Sequence, residues 1–385
     1  MKSRRRRKSR INFITVIITC LQILVICLMA FSVLTNDIKI SNSDKQQEQP
    51  QDRVERSGMI PAKEASSDLA HVIDSVLVSH NYQGVALLVQ NGAPVLHKAY
   101  GYANLNTKKP NTINSLFPIG SIQKNLTALL IMQAVEDKKL SLSTKLNSIL
   151  PNLKDSEKYS IADLLSMTTG YQSDTKTLNV ANLSEDDYLE FVLKHLNVVH
   201  YPGTWTYQPA NYSILALVLR KIYNKDYKLL LKEYVERNKI NLSFFSQFNT
   251  SVDTTFSQKS TGQMNPHVPV EYTREVGTGE VSMTASALYQ LLEKEFQQTL
   301  LSSENLNAML TVLGDKNYVS DLYHFKDYIH MHGVISDFEV SVYMTKDTQN
   351  AIVLCSNKYD PQLMDDLRNK GLIGHVLHIS GEVDG

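Results

Sequence analysis

Ser121 and Lys124 stand three residues apart, directly after the turn-forming triplet Pro118-Ile119-Gly120. An apolar run follows. Its periodicity predicts a helix over 126–135, with Leu126, Leu129, Leu130, Met132 and Ala134 on the buried side. Residues three apart share a helix face, so a lysine amine there is within reach of the serine hydroxyl. Such a hydroxyl is a weak nucleophile until a base takes its proton. For Lys124 to be that base, burial and like charge must lower its pKa from about 10.4 towards neutrality. The helix N-terminus favours the negative charge that acyl transfer develops. The same spacing recurs at Ser173 and Lys176, in a polar run with no apolar helix behind it, which reads as surface loop. A capping serine beside a solvated lysine is the bland alternative for Ser121 too, so the site needs partners from elsewhere in the chain.

Two other stretches offer them. In Tyr201-Pro-Gly-Thr-Trp-Thr-Tyr207-Gln-Pro-Ala-Asn211-Tyr212, Tyr207 precedes a turn into an apolar helix over 214–222. A tyrosine placed there can share protons with a serine and a lysine; packing of Tyr207 and Trp205 at the domain lip is the competing reading. In His330-Met331-His332-Gly333 the two histidines share one face of an extended strand and Met331 takes the other. The apolar Met331 side is expected to be core and the histidine side the cleft. His332 is the first choice for a cleft residue and His330 the second. A metal role is set aside, because no nearby ligands complete a shell.

The elements around these residues suggest a frame. A helix is expected over 67–79. Strands over 84–90 and 94–100 are joined by Asn91-Gly92, a hairpin signal. Residues 140–300 read as helix and loop. Strands return over 328–334, 338–344 and 351–355, and a helix closes the chain over 360–377. The expected fold is α+β: one antiparallel sheet built from both chain ends, flanked by helices, with a mostly helical inserted subdomain.

Charge is uneven, although the formal net charge is zero. Residues 1–10 hold seven Lys or Arg and no acid, and the remainder is acidic on balance. Nothing outside that tail is basic enough for nucleic acid. Residues 11–34 are uncharged and span roughly 36 Å as a helix, enough to cross a bilayer. They are expected to be an uncleaved single-pass anchor, with the basic tail cytoplasmic and the rest outside. Residues 35–65 read as a disordered tether and 66–380 as the catalytic domain. Of three cysteines, Cys20 and Cys27 fall in the apolar run, and Cys355 reads as a buried strand residue.

The order of these parts resembles the serine β-lactamase and penicillin-binding-protein superfamily. The resemblance rests on Ser121-Ile-Gln-Lys124, then Ile161-Ala-Asp-Leu-Leu-Ser-Met-Thr-Thr-Gly170, Pro202-Gly-Thr with Tyr207 and Tyr212, Gly277-Thr-Gly279, and His332-Gly333 on a late strand. Within it, the chain looks like the class C-like branch that includes DD-peptidases, esterases and teichoic-acid D-alanyl esterases. The resemblance implies Ser121 as acylated nucleophile, Lys124 as its base partner and Tyr207 as proton relay. His332 or His330 would stand on the cleft strand, and the oxyanion would meet the amides of Ser121 and of the residue after Gly333. Gly333 would let the strand approach the substrate. Relatives often carry Tyr-Xaa-Asn where this chain has Tyr207-Gln208-Pro209, so Asn211 is the candidate to hold a substrate amide. The implied substrates are D-alanyl esters or amides of the cell envelope, with β-lactams as further ligands. No cofactor is implied, and no oligomeric state is legible. A β-lactamase or general carboxylesterase, or a weak penicillin- or wall-binding module, are the alternatives.

Overall fold

The computed structural model describes residues 59–379, apart from 176–177, 179–182, 200 and 268. The basic tail, the expected anchor over 11–34 and most of the expected tether lie outside the described residues. Among those described, no helix is long and apolar enough to cross a membrane.

Helix α1 (Asp68–Ser79) is capped by the Ser67 side chain and buries Ala70, Ile73, Val76 and Leu77. Strands β1 (Gly84–Gln90) and β2 (Ala93–Tyr100) follow. Asn91 and Gly92 both take positive φ, 51° and 74°, the twist that a two-residue hairpin turn needs. Ordered pairing begins before β2 is reached. Lys63 exchanges hydrogen bonds with His97, and Ser66 N donates to Val95 O, so the stretch expected as tether joins the sheet at its end.

The C-terminal strands are β3 (Tyr318–Val319), β4 (Leu322–His324), β5 (Tyr328–Ile335), β6 (Phe338–Thr345) and β7 (Ala351–Ser356). Seven antiparallel strands run in the order β3-β4-β5-β6-β7-β1-β2. Both chain ends therefore build one sheet. Its two faces are distinct. Val340, Val342, Met344, Val353, Cys355, Val85 and Leu87 point into the core shared with the helical layer. Tyr343, Ile352, Leu354, Ala86 and Leu88 point into a second core, which α1 shares with α5 (Pro361–Asn369) and α6 (Leu372–Leu377). The closing helix is thus two helices; Gly371, at φ 67°, breaks it. Both faces of β6 are covered, which is why its alternation is of size and polarity without any exposed member.

Helix α2 (Gln123–Glu136) crosses the middle of the helical layer. It was expected to bury one side; instead every residue from Gln123 to Met132 is buried, together with Ala134. It packs against α4 (Ala210–Tyr223), on which α3 (Ile161–Leu165) packs in turn.

Candidate active site

Ser121 occupies a single 3-10 turn, Gly120–Ile122, that feeds α2. The turn abuts β5 so closely that both glycines at the junction are required. A Cβ on Gly333 would fall 2.0 Å from Ile119 O and 3.2 Å from Ser121 N. Gly120 has φ 51°, and a Cβ there would lie 3.0 Å from both Val334 N and Val334 O. One residue of an antiparallel strand points its N–H and C=O to the same side. Val334 therefore presents both groups to the serine turn, and its amide flanks that of Ser121.

Lys124 is 1% exposed. Its helical neighbours fix its place: Gln123 Oε1 accepts from Val281 N at 3.0 Å, and Asn125 Nδ2 donates to Ser320 O at 3.4 Å. Tyr207 arrives from the loop before α4. Thr206 N donates to Met167 O at 3.1 Å, and Gln208 N to Met167 Sδ at 3.3 Å. So held, Tyr207 donates a 2.7 Å hydrogen bond to Ser121 Oγ. Lys124 Nζ lies 5.3 Å from the centre of the Tyr207 ring.

The charge on Lys124 departs from expectation. Burial pulls its pKa down, but Tyr207, Asp321 and Glu275 outweigh burial and leave it above the ordinary lysine value. An ammonium is thus what this pocket stabilises. Tyr207, in hydrogen-bond contact with Ser121 Oγ, is placed to exchange its proton.

The histidine face is reversed. Gly333 faces the serine turn, so Met331, two residues away, shares its side and is fully buried in the core beneath the helical layer. His330 and His332 point to the other face. His330 is 4% exposed and stacks on Tyr343 with ring centres 4.0 Å apart. His332 meets Glu339 at 2.9 Å. Neither points at Ser121. The expectation equated the cleft with the polar face of the strand, whereas the site lies between sheet and helical layer, on the apolar face.

Asn211 is also not a cleft residue. It is fully buried, accepts from Thr169 Oγ1 at 2.6 Å and donates to Gln208 O at 2.9 Å. Both ends of its amide are used to hold the Tyr207 loop. Ser173 has no bond to the site, and Lys176 lies outside the described residues. Among the described residues, no three His, Cys, Asp or Glu side chains converge as a metal shell would require.

Three contributors escaped the sequence reading. Met167, in the left-handed region at φ 53°, secures the Tyr207 loop. Glu275 accepts from Thr278 Oγ1 at 2.6 Å; burial raises its pKa, against pulls from Thr278, Lys124 and Arg274. Asp321 is buried on the turn between β3 and β4. Both acids act on Lys124, but they are remote from it in sequence and no local spacing signals them.

The family model described as Beta-lactamase matches residues 64–374. The chain belongs to the beta-lactamase family. This beta-lactamase-fold protein is accordingly an enzyme, a serine hydrolase with Ser121-Ile-Gln-Lys124 as its motif. It is 23% identical over 335 residues to a Bacillus subtilis (strain 168) protein that carries a penicillin-binding-protein name, PbpX, covering 86% of this chain and 84% of that one. It is 27% identical over 263 residues to the teichoic acid D-alanine hydrolase of Staphylococcus aureus (strain MRSA252), covering 67% of this chain and 65% of the hydrolase. The crystal structure of FmtA from Staphylococcus aureus superposes with TM-score 0.74 at 20% identity, over 87% of this chain and 94% of that one. That likeness shows the beta-lactamase-like α+β fold.

Proposed function

We propose that this protein hydrolyses D-alanyl esters of the cell envelope through an acyl-enzyme on Ser121. The observation that carries the proposal is the 2.7 Å contact between Tyr207 and Ser121, with the buried Lys124 nitrogen 5.3 Å from the centre of the Tyr207 ring. In the reacting form Tyr207 acts as the phenolate partner of Lys124, whose nitrogen lies 5.3 Å from the centre of its ring. The phenolate takes the serine proton as Oγ bonds to the acyl carbon. The amides of Ser121 and Val334 receive the oxyanion. The ester C–O bond then breaks, and Tyr207 returns the proton to the departing alkoxide. In the second half, water gives its proton to Tyr207 and attacks the acyl carbon, and the proton goes back to Ser121 Oγ as it leaves.

An ester is favoured over a D-alanyl-D-alanine terminus by the wall that β5 provides. Its members on the serine side, Met331 and Gly333, carry no charge, and both histidines face away. A peptide or β-lactam carboxylate set against that wall lacks a cation from this strand. A D-alanyl ester of a polyol phosphate has no such carboxylate to leave unpaired there. The named D-alanine hydrolase relative supports the same substrate class. We further place the domain on the outer side of the membrane, carried by the uncharged run 11–34 with the basic residues inside.

The test is D-alanine release from a synthetic D-alanyl glycerol phosphate, beside an N-acylated D-alanyl-D-alanine peptide and nitrocefin. The ester should win in kcat/KM by tenfold or more, since an unpaired desolvated charge costs about 1–3 kcal/mol. Ser121→Ala should abolish release and fluorophosphonate labelling; Ser173→Ala should change neither. Protease shaving of intact cells should remove the activity from them. Faster turnover of the peptide or of nitrocefin would sink the ester assignment, and full labelling of Ser121→Ala would sink the site.

A further inference from the structure

We propose that Asp321 is a positioning residue for this site, a buried carboxylate that the β3–β4 turn sets into the side-chain cluster around Lys124 and Tyr207. The proposal rests on the reading of Ser121, Lys124 and Tyr207 given above.

Asp321 and Ser320 form the two-residue turn between β3 and β4, both at positive φ, 60° and 58°. Aspartate suits such a turn, and turn aspartates ordinarily face water. This one is 3% exposed. Oδ1 accepts from Tyr318 Oη at 3.0 Å, while Oδ2 is buried with no hydrogen-bond partner. Burying a carboxylate with one oxygen unsatisfied is costly, and a turn with the same backbone could be built by asparagine or glycine. Carboxylate charge is what those residues would not supply.

The turn is tied to the site on several sides. Asn125, the residue after Lys124, bonds Ser320 O at 3.4 Å. Ser320 N donates to Leu165 O at 3.2 Å, and Tyr212 Oη donates to the same carbonyl at 2.9 Å. Tyr318, which holds the carboxylate, sets its ring edge-to-face on Tyr207 with centres 6.0 Å apart and on Trp205 at 5.7 Å. One buried cluster thus gathers the carboxylate, the serine's partner and the lysine. The titratable or charged groups that face Asp321 are Lys124 on α2, Tyr207 in its loop, Tyr212 on α4, Tyr318 on β3 and Tyr323 on β4. Lys124 is the one cation among them. Burial lifts the Asp321 pKa to about 7, while Lys124 and the Tyr318 bond pull the other way. Neutral pH is therefore where this counter-charge is lost or gained.

Asparagine keeps the size of the side chain and can accept the same Tyr318 bond through its oxygen, so Asp321→Asn isolates charge from shape. Without the carboxylate, one of the charges that offset burial at Lys124 is gone, and the amine loses its proton more easily. The rate of Ser121 acylation by a fluorophosphonate should fall about tenfold at pH 7.5, the factor that about one pKa unit of lost charge interaction carries, with KM for the ester substrate little changed. The alkaline limb of the pH–rate profile should move down by about one unit or more. A second variant, Tyr318→Phe, removes the bond that favours the ionised carboxylate, so the acidic limb should move up in pH while the alkaline limb stays. An unmoved profile in Asp321→Asn would reduce Asp321 to a turn residue, and a faster rate would show that it opposes the reaction; either overturns the proposal. If Asp321→Asn does not fold, an acidic limb left in place by Tyr318→Phe overturns it instead. Labelling that survives Ser121→Ala would instead refute the site itself, independently of either profile.

Discussion

Adding one methyl group at Gly333 separates the serine turn from its strand, and the size of the effect follows from the contact. The Cβ would stand 2.0 Å from Ile119 O, and real Cβ atoms do not approach closer than 3.0 Å. Both partners are backbone, so no side chain can swing aside; β5 and the Ser121 turn must part by about 1 Å. Overpacking of this kind costs about 1–3 kcal/mol. At about 2 cal/mol/K of unfolding entropy per residue, a domain of this size should lose only about 2–5 °C in Tm. Catalysis is more sensitive. A displacement of about 1 Å is worth about 10²-fold in rate, and here it also pulls the Val334 and Ser121 amides apart. Gly333→Ala should therefore cut Ser121 acylation about 100-fold while the protein stays folded. His332→Ala, one residue away on the opposite face, should change the rate less than threefold. Stopped-flow labelling and a thermal melt on the two variants decide it. If Gly333→Ala acylates within threefold of the parent, or His332→Ala loses 100-fold, the strand faces have been assigned the wrong way round.

Asn211→Ala strips two buried hydrogen bonds and leaves Gln208 O and Thr169 Oγ1 short of a partner. It should destabilise the fold by about 2–4 kcal/mol in urea unfolding and lower kcat more than it raises KM; a change in KM alone with full stability would make Asn211 a substrate ligand. Burial, with help from His332 and Arg368, holds the His330 pKa at about 3 against an ordinary 6.5. The unfolded chain takes up a proton below pH 6.5 that the folded chain refuses until about pH 3, so this residue withdraws stability as pH falls through that window. Between pH 7 and 5 the withdrawal is roughly 2 kcal/mol. His330→Phe should lose that much less than the parent over the same step, and equal losses in urea melts would refute the burial argument.

What the sequence disclosed was local. Asn91-Gly92 announced the β1–β2 hairpin, residues 338–344 announced a strand, though not that both its faces would be covered, and Ser121-Ile-Gln-Lys124 announced a site at a helix start. Even the rule that put Met331 in the core was sound. The error came in supposing that the cleft must lie on the polar side, when the nucleophile sits under the apolar one. The electrostatic surroundings of Lys124 were out of reach for a different reason: besides Tyr207, the acids that pull on it, Asp321 and Glu275, come from loops folded in from far along the chain. Asn211 was placed near the site correctly, but its partner Thr169 was not foreseen, and that partner turns it from a ligand into a brace.

The position of β1 between β2 and β7 also sets an order of events. The first hairpin to be synthesised has one free edge until nearly the whole chain exists; Ser356 Oγ, for example, closes on Gln83 O across 273 residues. Strand β5, which presses the serine turn into shape, is likewise among the last parts made. Contacts of such long range form slowly. A chain part-way through synthesis would therefore own its serine, lysine and tyrosine and still lack the wall that aligns them. The wall that aligns the serine is complete only when synthesis nears its end.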